Sequence, residues 1–187
     1  DPYGISKLEA EIGLEHISAE TGMEFVIIRP PLVFGPGVRG NFLALLEALA
    51  VRRPLPLASV RNRRSFVGLG TLIDATTHCI VDPSAANITV QICEREHLSI
   101  ADLLRRIGAA MGTPPILLPC PVPLLKIFGR LAGRQAAISR LTEEFIVESS
   151  IEQRLSWRPH RTFDDELRDV AEWFRQSRNI NRDKTTE

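Results

Sequence analysis

The sequence predicts an α/β chain, on three observations. Short apolar runs of strand length alternate with longer helix-forming segments, the order expected of parallel strands joined by helices. The run Glu24-Phe-Val-Ile-Ile-Arg29 is apolar without alternation, as in a strand buried on both faces. Of the 187 residues, 44% are hydrophobic and 25% charged, so a sizeable core can be buried and wholesale disorder is excluded.

The elements follow in chain order. Asp1-Pro2 reads as a helix start, with an acidic cap and a proline in the first turn. Residues 3–20 are helix-forming and carry two stripes: Ile5, Leu8, Ile12 and Ala19 on one, Tyr3, Lys7, Ala10, Leu14 and Ile17 on the other. Two stripes predict a helix covered on both sides, and Thr21-Gly22 ends it. The strand over 24–29 stops at Pro30-Pro31, and 32–40 reads as a Gly/Pro-rich loop. An apolar helix is expected over 41–50, and a basic, proline-bearing stretch over 52–65. A short strand over 65–67, a helix over 72–81 and a strand over 88–93 come next. Ser99 caps a helix over 100–111 that Gly112 closes. Residues 114–123 look extended, 124–131 form an apolar helix, and 163–177 form an amphipathic last helix with Leu167, Val170, Ala171 and Phe174 on one face. A frayed polar tail over 179–187 ends the chain. These strands are few for a complete parallel sheet. With Asp1 rather than Met at the first position, the expectation is a piece of a longer protein.

Composition excludes several classes. Lys+Arg and Asp+Glu are both 23, so bulk nucleic-acid binding is not expected. Cys79, Cys93 and Cys120 form no Cys-x-x-Cys pair, which speaks against a zinc site or disulfide framework and for a reducing, cytoplasmic setting. His16, His78, His97 and His160 lack ligand spacing, so no metal is expected. No apolar run is long enough to insert through a bilayer, and no signal peptide is recognised. Asp164-Asp165-Glu166 reads as the acidic first turn of the last helix, not as paired catalytic carboxylates.

Tyr3 and Lys7, four residues apart, share one helix face. A phenol ordinarily ionises near pH 10, and an adjacent ammonium favours the phenolate. Such a pair can take a proton from a hydroxyl or give one to a ketone. Alone, the spacing is a weak signal and favours a partly buried tyrosine beside a surface lysine. Tyr3 is the one tyrosine in the chain.

The pair is followed at once by a second pattern, Arg29-Pro-Pro-Leu-Val-Phe-Gly-Pro-Gly37. Together the two resemble the extended short-chain dehydrogenase/reductase family, the NAD-dependent nucleotide-sugar epimerases and dehydratases. The resemblance continues through Gly40-Asn41-Phe42, Arg61-Asn-Arg-Arg-Ser-Phe-Val67, Leu72-Ile-Asp-Ala75, Leu155-Ser-Trp-Arg-Pro159, Phe163-Asp-Asp-Glu-Leu167 and Trp173-Phe174. It covers most of the chain, and it is strongest toward bacterial members found with surface-polysaccharide synthesis.

That resemblance implies the C-terminal part of a Rossmann-like, doubly wound parallel sheet plus a small α/β substrate lobe. Residues 1–39 would close the first, residues 40–178 would mainly form the second, and 179–187 would be a tail. It implies a 4-epimerase acting on a nucleotide sugar, a UDP-linked one, with NAD as cofactor and NADP as the alternative. Tyr3 and Lys7 would be catalytic and, with Pro30, Pro31 and Val33, would border the nicotinamide. Leu32, Asn41, Phe42, Leu57, Arg64 and Phe66 would contact the substrate, Arg64 and Asn41 at its diphosphate. An always-charged planar guanidinium suits that role. A 4-keto-sugar reductase and a non-catalytic nucleotide-sugar module are the alternatives, and the piece itself is expected to be inactive. Members of the family often pair through the Tyr/Lys helix, so a homodimer through Ile5, Leu8 and Ile12 is implied; cover within one subunit is the other reading. Leu32 stands where the family often has Asn, which removes one diphosphate contact.

Gly35-Pro-Gly-Val-Arg-Gly40 matches the Gly-x-Gly-x-x-Gly spacing of a dinucleotide fingerprint. It is rejected as one. The turn should leave its strand directly, whereas the strand here ends at Arg29, and no acid follows about twenty positions on.

Overall fold

The structure, a computed structural model, describes residues 2–183. In order they form α1 (Pro2–Thr21), β1 (Val26–Arg29), β2 (Leu32–Phe34), α2 (Gly40–Ala50), β3 (Phe66–Gly68), α3 (Leu69–Val81), β4 (Ile88–Gln91), α4 (Ile100–Met111), α5 (Val122–Leu131), α6 (Gln135–Thr142), α7 (Ile151–Arg154) and α8 (Phe163–Asp183). The cap expected at Asp1 lies outside the described residues, as does the tail from residue 184 on.

All regular strand pairing is parallel, as the α/β class requires. β1 pairs with β4, Ile27 opposite Thr89, and β2 pairs with β3, Leu32 opposite Phe66. Pro30 and Pro31 separate the two pairs. Neither carries an N–H, so the ladder begun by β1 stops there and the chain is free to join a second one. The loop expected over 32–40 therefore opens with a strand, β2. That removes one ground for rejecting the glycine motif, because Gly35 does leave a strand directly. The glycines serve other ends. A Cβ on Gly35 would stand 2.5 Å from Cβ of Leu69, so this position admits the start of α3 against the strand, while Gly37 and Gly40 take φ of +84° and +62° to turn the chain into α2.

Two apolar clusters hold the elements. The first gathers the inner faces of α2, α4, α5 and α8 around Leu46, Leu49, Leu103, Leu104, Ile107, Leu167 and Val170. The second joins α3, β4 and α7 through Ala75, Cys79, Val90, Ile151 and Trp157, with Val26 and Ile28 of β1 against it. Helix α4 forms as its sequence predicts: the Ser99 hydroxyl accepts from the Asp102 amide at 3.0 Å, and Gly112 closes it at φ +68°.

Four expectations need correction. Helix α8 runs six residues past Ser177, through most of the expected tail. α6 and α7 fall in a stretch for which the sequence suggested no element. Neither stripe of α1 is covered: among its residues none is buried. Glu166 is more than an acid in a first turn. Fully buried, its carboxylate accepts from the amides of Gly70 (3.0 Å) and Thr71 (2.9 Å) and from Arg161 Nε (2.8 Å), and so caps α3 from another element. Glu94 adds a second buried carboxylate there, accepting from the Gly68 amide at 3.0 Å, and burial pushes its carboxyl above the ordinary value.

Candidate active site

The exposed helix α1 carries Tyr3 and Lys7. Lys7 Nζ lies 5.5 Å from the centre of the Tyr3 ring, and Tyr3 is 70% exposed. The helix is tied to the strand that follows it. Arg29, last residue of β1, holds the Glu11 carboxylate with Nε (3.1 Å to Oε1) and with its Nη2. That pair holds the Glu11 carboxyl below its usual range, chiefly through the hydrogen bond from Arg29. At the other end, Asn87 Oδ1 accepts from the Phe25 amide at 3.3 Å and from Ser18 Oγ at 3.4 Å. Arg29, which the sequence offered only as part of a motif, thus orients the helix that bears the phenol.

Pro30 and Pro31 follow Arg29, one exposed and one half-buried, with Leu32 exposed and Val33 half-buried. The parallel register sets Leu32 beside Phe66. The Pro-Pro turn and the arginine-bearing segment 61–67 are therefore neighbours, brought together from more than thirty positions apart by one strand pair.

Segment 61–65 is fastened on two sides. Arg64 pairs through its backbone with Leu98, and Phe145 bridges to Arg63 and Ser65. The Asn62 amide nitrogen donates to the carbonyls of Leu141 (3.1 Å) and Glu143 (2.9 Å), and its oxygen accepts from the Ile100 amide at 3.3 Å. Ser65 Oγ accepts from the Val147 amide at 2.8 Å, donates to the Val147 carbonyl at 3.1 Å, and lies 3.0 Å from His97 Nδ1. Sequence reading overlooked these two small polar residues because it attended to the arginines between them. Both are buried, and every side-chain polar atom of Asn62 has a partner. They fix the backbone from which Arg64 projects.

Arg64 itself is half-buried. Nη1 donates to the Glu143 carbonyl at 3.0 Å, and the guanidinium lies 5.8 Å from the Phe145 ring centre. Burial lowers its pKa from the ordinary value, and a guanidinium remains charged regardless. This is a positive fork held flat by a carbonyl and an aromatic ring, suited to an oxyanion.

The remaining expected contacts divide by burial. Asn41 is exposed in the first turn of α2, and Arg39, not Asn41, takes the N-cap position. Phe42, Leu57 and Phe66 are core residues, at most 5% exposed. Phe34 stacks on Phe42 at 5.6 Å and tilts against Phe163 at 5.1 Å, and Phe66 meets Phe163 edge-on at 6.4 Å. Their side chains reach the aromatic core, so what they offer a ligand in this chain is backbone. Among the described residues, no group of three His, Cys, Asp or Glu side chains could hold a metal.

Comparison with known proteins bears on this arrangement. Residues 1–93 match the family described as the NAD dependent epimerase/dehydratase family. A UDP-glucose 4-epimerase of Vibrio cholerae is 36% identical over 181 residues, covering 96% of this chain and 55% of that protein. An N-acetyl-alpha-D-glucosaminyl-diphospho-ditrans,octacis-undecaprenol 4-epimerase of Escherichia coli O157:H7 is 25% identical over 146 residues, covering 73% and 44%. The crystal structure of a UDP-glucuronic acid 4-epimerase from Bacillus cereus, solved in complex with NAD, superposes with a TM-score of 0.72 at 18% identity over 94% of this chain and 52% of that one. The fold is therefore that of the Rossmann-like epimerases, and the chain spans about half the length of the curated relatives it matches.

Proposed function

We propose, from the premise that this chain belongs to the NAD dependent epimerase/dehydratase family whose model matches residues 1–93, that it is part of a nucleotide-sugar 4-epimerase. The observation that carries the reading is the phenol–ammonium pair on α1, with Lys7 Nζ 5.5 Å from the Tyr3 ring, leading directly into the strand end that neighbours Arg64.

The chain's own groups suit one side of a nicotinamide cofactor: an exposed phenol, an ammonium for ribose hydroxyls, and the Pro30-Pro31-Leu32-Val33 backbone. NAD, when bound, supplies the acceptor and donor of hydride. Tyr3 takes the proton of the sugar 4-hydroxyl as C4 is oxidised, and returns it when the 4-keto sugar is reduced on its other face. Lys7 offsets negative charge on the Tyr3 oxygen. Arg64, with Asn41 at the positive end of α2, holds the diphosphate and so positions the sugar.

The names of the two curated relatives share a sugar on a diphosphate and differ in the carrier, a nucleoside in one and a polyprenol in the other. Arg64 would meet the shared part in either case. A UDP-linked carrier is the primary reading, on the higher identity of the Vibrio cholerae relative. Reduction of a 4-keto sugar would use the same pair in the acid direction.

The test is turnover by the full-length protein with NAD and UDP-glucose or UDP-N-acetylglucosamine, read as the C4 epimer. A product formed only with stoichiometric consumption of reduced nicotinamide would replace epimerase by reductase. UDP binding without turnover or NAD binding would leave a binding module.

A further inference from the structure

Helix α5 has two apolar faces, and the fold uses one. Leu125 and Gly129 are buried, Gly129 so closely that an added Cβ would stand 2.6 Å from Ile138 Cγ1 of α6. The other face, Leu124, Ile127, Phe128 and Leu131, follows i, i+3, i+4, i+7 spacing and points to solvent, Phe128 at 61% and Leu131 at 80% exposure. Four large apolar side chains in one exposed stripe exceed the scattered exposure of an ordinary surface.

The charge around this stripe has one sign. Residues 103–142 contain six cationic side chains and no Asp or Glu. Arg105 and Arg106 are paired with Asp102, Glu96 and Asp164. Lys126 and Arg130, both exposed, lie together on one side of the stripe on α5, Arg130 the nearer, and Arg134 and Arg140 follow it, exposed as well. Among the described residues none of these four enters an ion pair. A helix that buries apolar side chains to headgroup depth beside unpaired Lys and Arg is suited to the surface of an anionic bilayer. It is too short to cross one, and no described helix is long and apolar enough to do so. We propose that α5 is a membrane-surface docking helix, which sets Leu124, Ile127, Phe128 and Leu131 into an anionic lipid surface while Lys126 and Arg130 meet its phosphates. The proposal stands independently of the epimerase reading.

The test uses the full-length protein and sedimentation with vesicles of phosphatidylglycerol and phosphatidylethanolamine. The protein should pellet with these vesicles, stay largely in solution with phosphatidylcholine alone, and be released at high salt. Phe128→Ser with Leu131→Ser, and separately Lys126→Glu with Arg130→Glu, should each weaken binding at least about tenfold. All four side chains are exposed, so unchanged circular dichroism and unchanged turnover of a soluble UDP-sugar are expected of both variants. Wild-type protein that ignores anionic vesicles, or variants that bind as well as it does, would overturn the proposal. So would slow maleimide labelling of Leu131→Cys in a Cys120→Ser background without lipid, since it would show that protein, another part of the molecule or a second copy, already covers the stripe.

Discussion

Tyr3 stands on a helix with no buried side chain, so its removal should affect chemistry and leave folding alone. Tyr3→Phe in the full-length enzyme is expected to lower kcat by roughly 10²–10⁴-fold, the usual contribution of a general acid–base group. It should shift unfolding by no more than about 0.5 kcal/mol. A turnover assay paired with a urea melt checks both halves, and a variant as active as the parent would remove Tyr3 from the chemistry. Cys93 poses the opposite case. Its Sγ donates to the Val147 carbonyl at 3.1 Å, and burial first, then the charge of Glu94, pushes the thiol up to about 11. Since the thiolate is the nucleophile, Cys93 should resist iodoacetamide at pH 8 until the chain unfolds, while the half-exposed Cys120 reacts. Mass spectrometry of the alkylated peptides distinguishes the two. At this scale the sequence told residue types apart but not their surroundings. Arg64 was singled out by its place in the Arg-Asn-Arg-Arg-Ser-Phe pattern, since a basic stretch taken alone fits a solvated turn. Asn62 and Ser65 were not, because their partners at 141–147 lie about eighty positions away along the chain. Phe42 and Phe66 could be placed near a ligand by motif, yet only packing shows that both rings belong to an aromatic cluster with Phe34 and Phe163.

Elements were legible where local signals agreed. α4 has a serine cap, an acidic first turn and a glycine stop, and its bounds match those the sequence predicts. α6 lacks a side-chain cap and α7 has four residues, so neither carries a signal that survives without its tertiary neighbours. β2 was hidden by the prolines before it. The element that depends most on a distant residue is α3, and Glu166→Ala should show it. The substitution leaves the amides of Gly70 and Thr71 and Arg161 Nε without their acceptor, while Arg161 keeps its pair with Asp169. A loss of about 1–3 kcal/mol is expected, the cost of leaving buried amide donors unsatisfied. Gly70→Ala should also destabilise, by about 1–3 kcal/mol, because the new Cβ would meet Glu166 Oε1 at 2.5 Å. Denaturant midpoints measure both, and a Glu166→Ala midpoint equal to wild type would show the cap to be dispensable. α8 offers a pH test. Thr162 and Asp165 cap it reciprocally: the Thr162 amide donates to Asp165 Oδ2 at 2.9 Å, and Thr162 Oγ1 accepts from the Asp165 amide at 3.2 Å. The hydrogen bonds from Thr162, ahead of that from Arg168, lower the Asp165 carboxyl to about 2. A depressed folded value means that the stabilisation is complete above the unfolded carboxyl value of about 3.9 and is lost as pH falls toward 2. Asp165→Asn should flatten that part of the acid limb, a difference visible in melting temperature between pH 5 and pH 2.

On the scale of the whole molecule, the class and the parallel pairing followed from alternating helix and strand lengths, whereas the distribution of cohesion did not. Two amphipathic stripes led to the expectation of a covered α1, but a stripe states only that a helix can be covered, not that its cover lies within the same stretch of chain. In the fold, α4 and α8 share the larger apolar cluster, with Leu103, Leu104, Ile107, Leu167 and Val170 nearly or fully buried. α1 contributes nothing to either cluster and is held by the Arg29–Glu11 pair and the Asn87 side chain. Exposed ion pairs contribute at most about 1 kcal/mol, so α1 should open far more readily than the core helices. Hydrogen exchange of the 187-residue chain should therefore be graded, with α1 amides exchanging within seconds to minutes and those of α4 and α8 only on global unfolding. If α1 proves as protected as α8, another surface is covering it, and the phenol with its neighbouring lysine then sits at an interface that these described residues alone do not form.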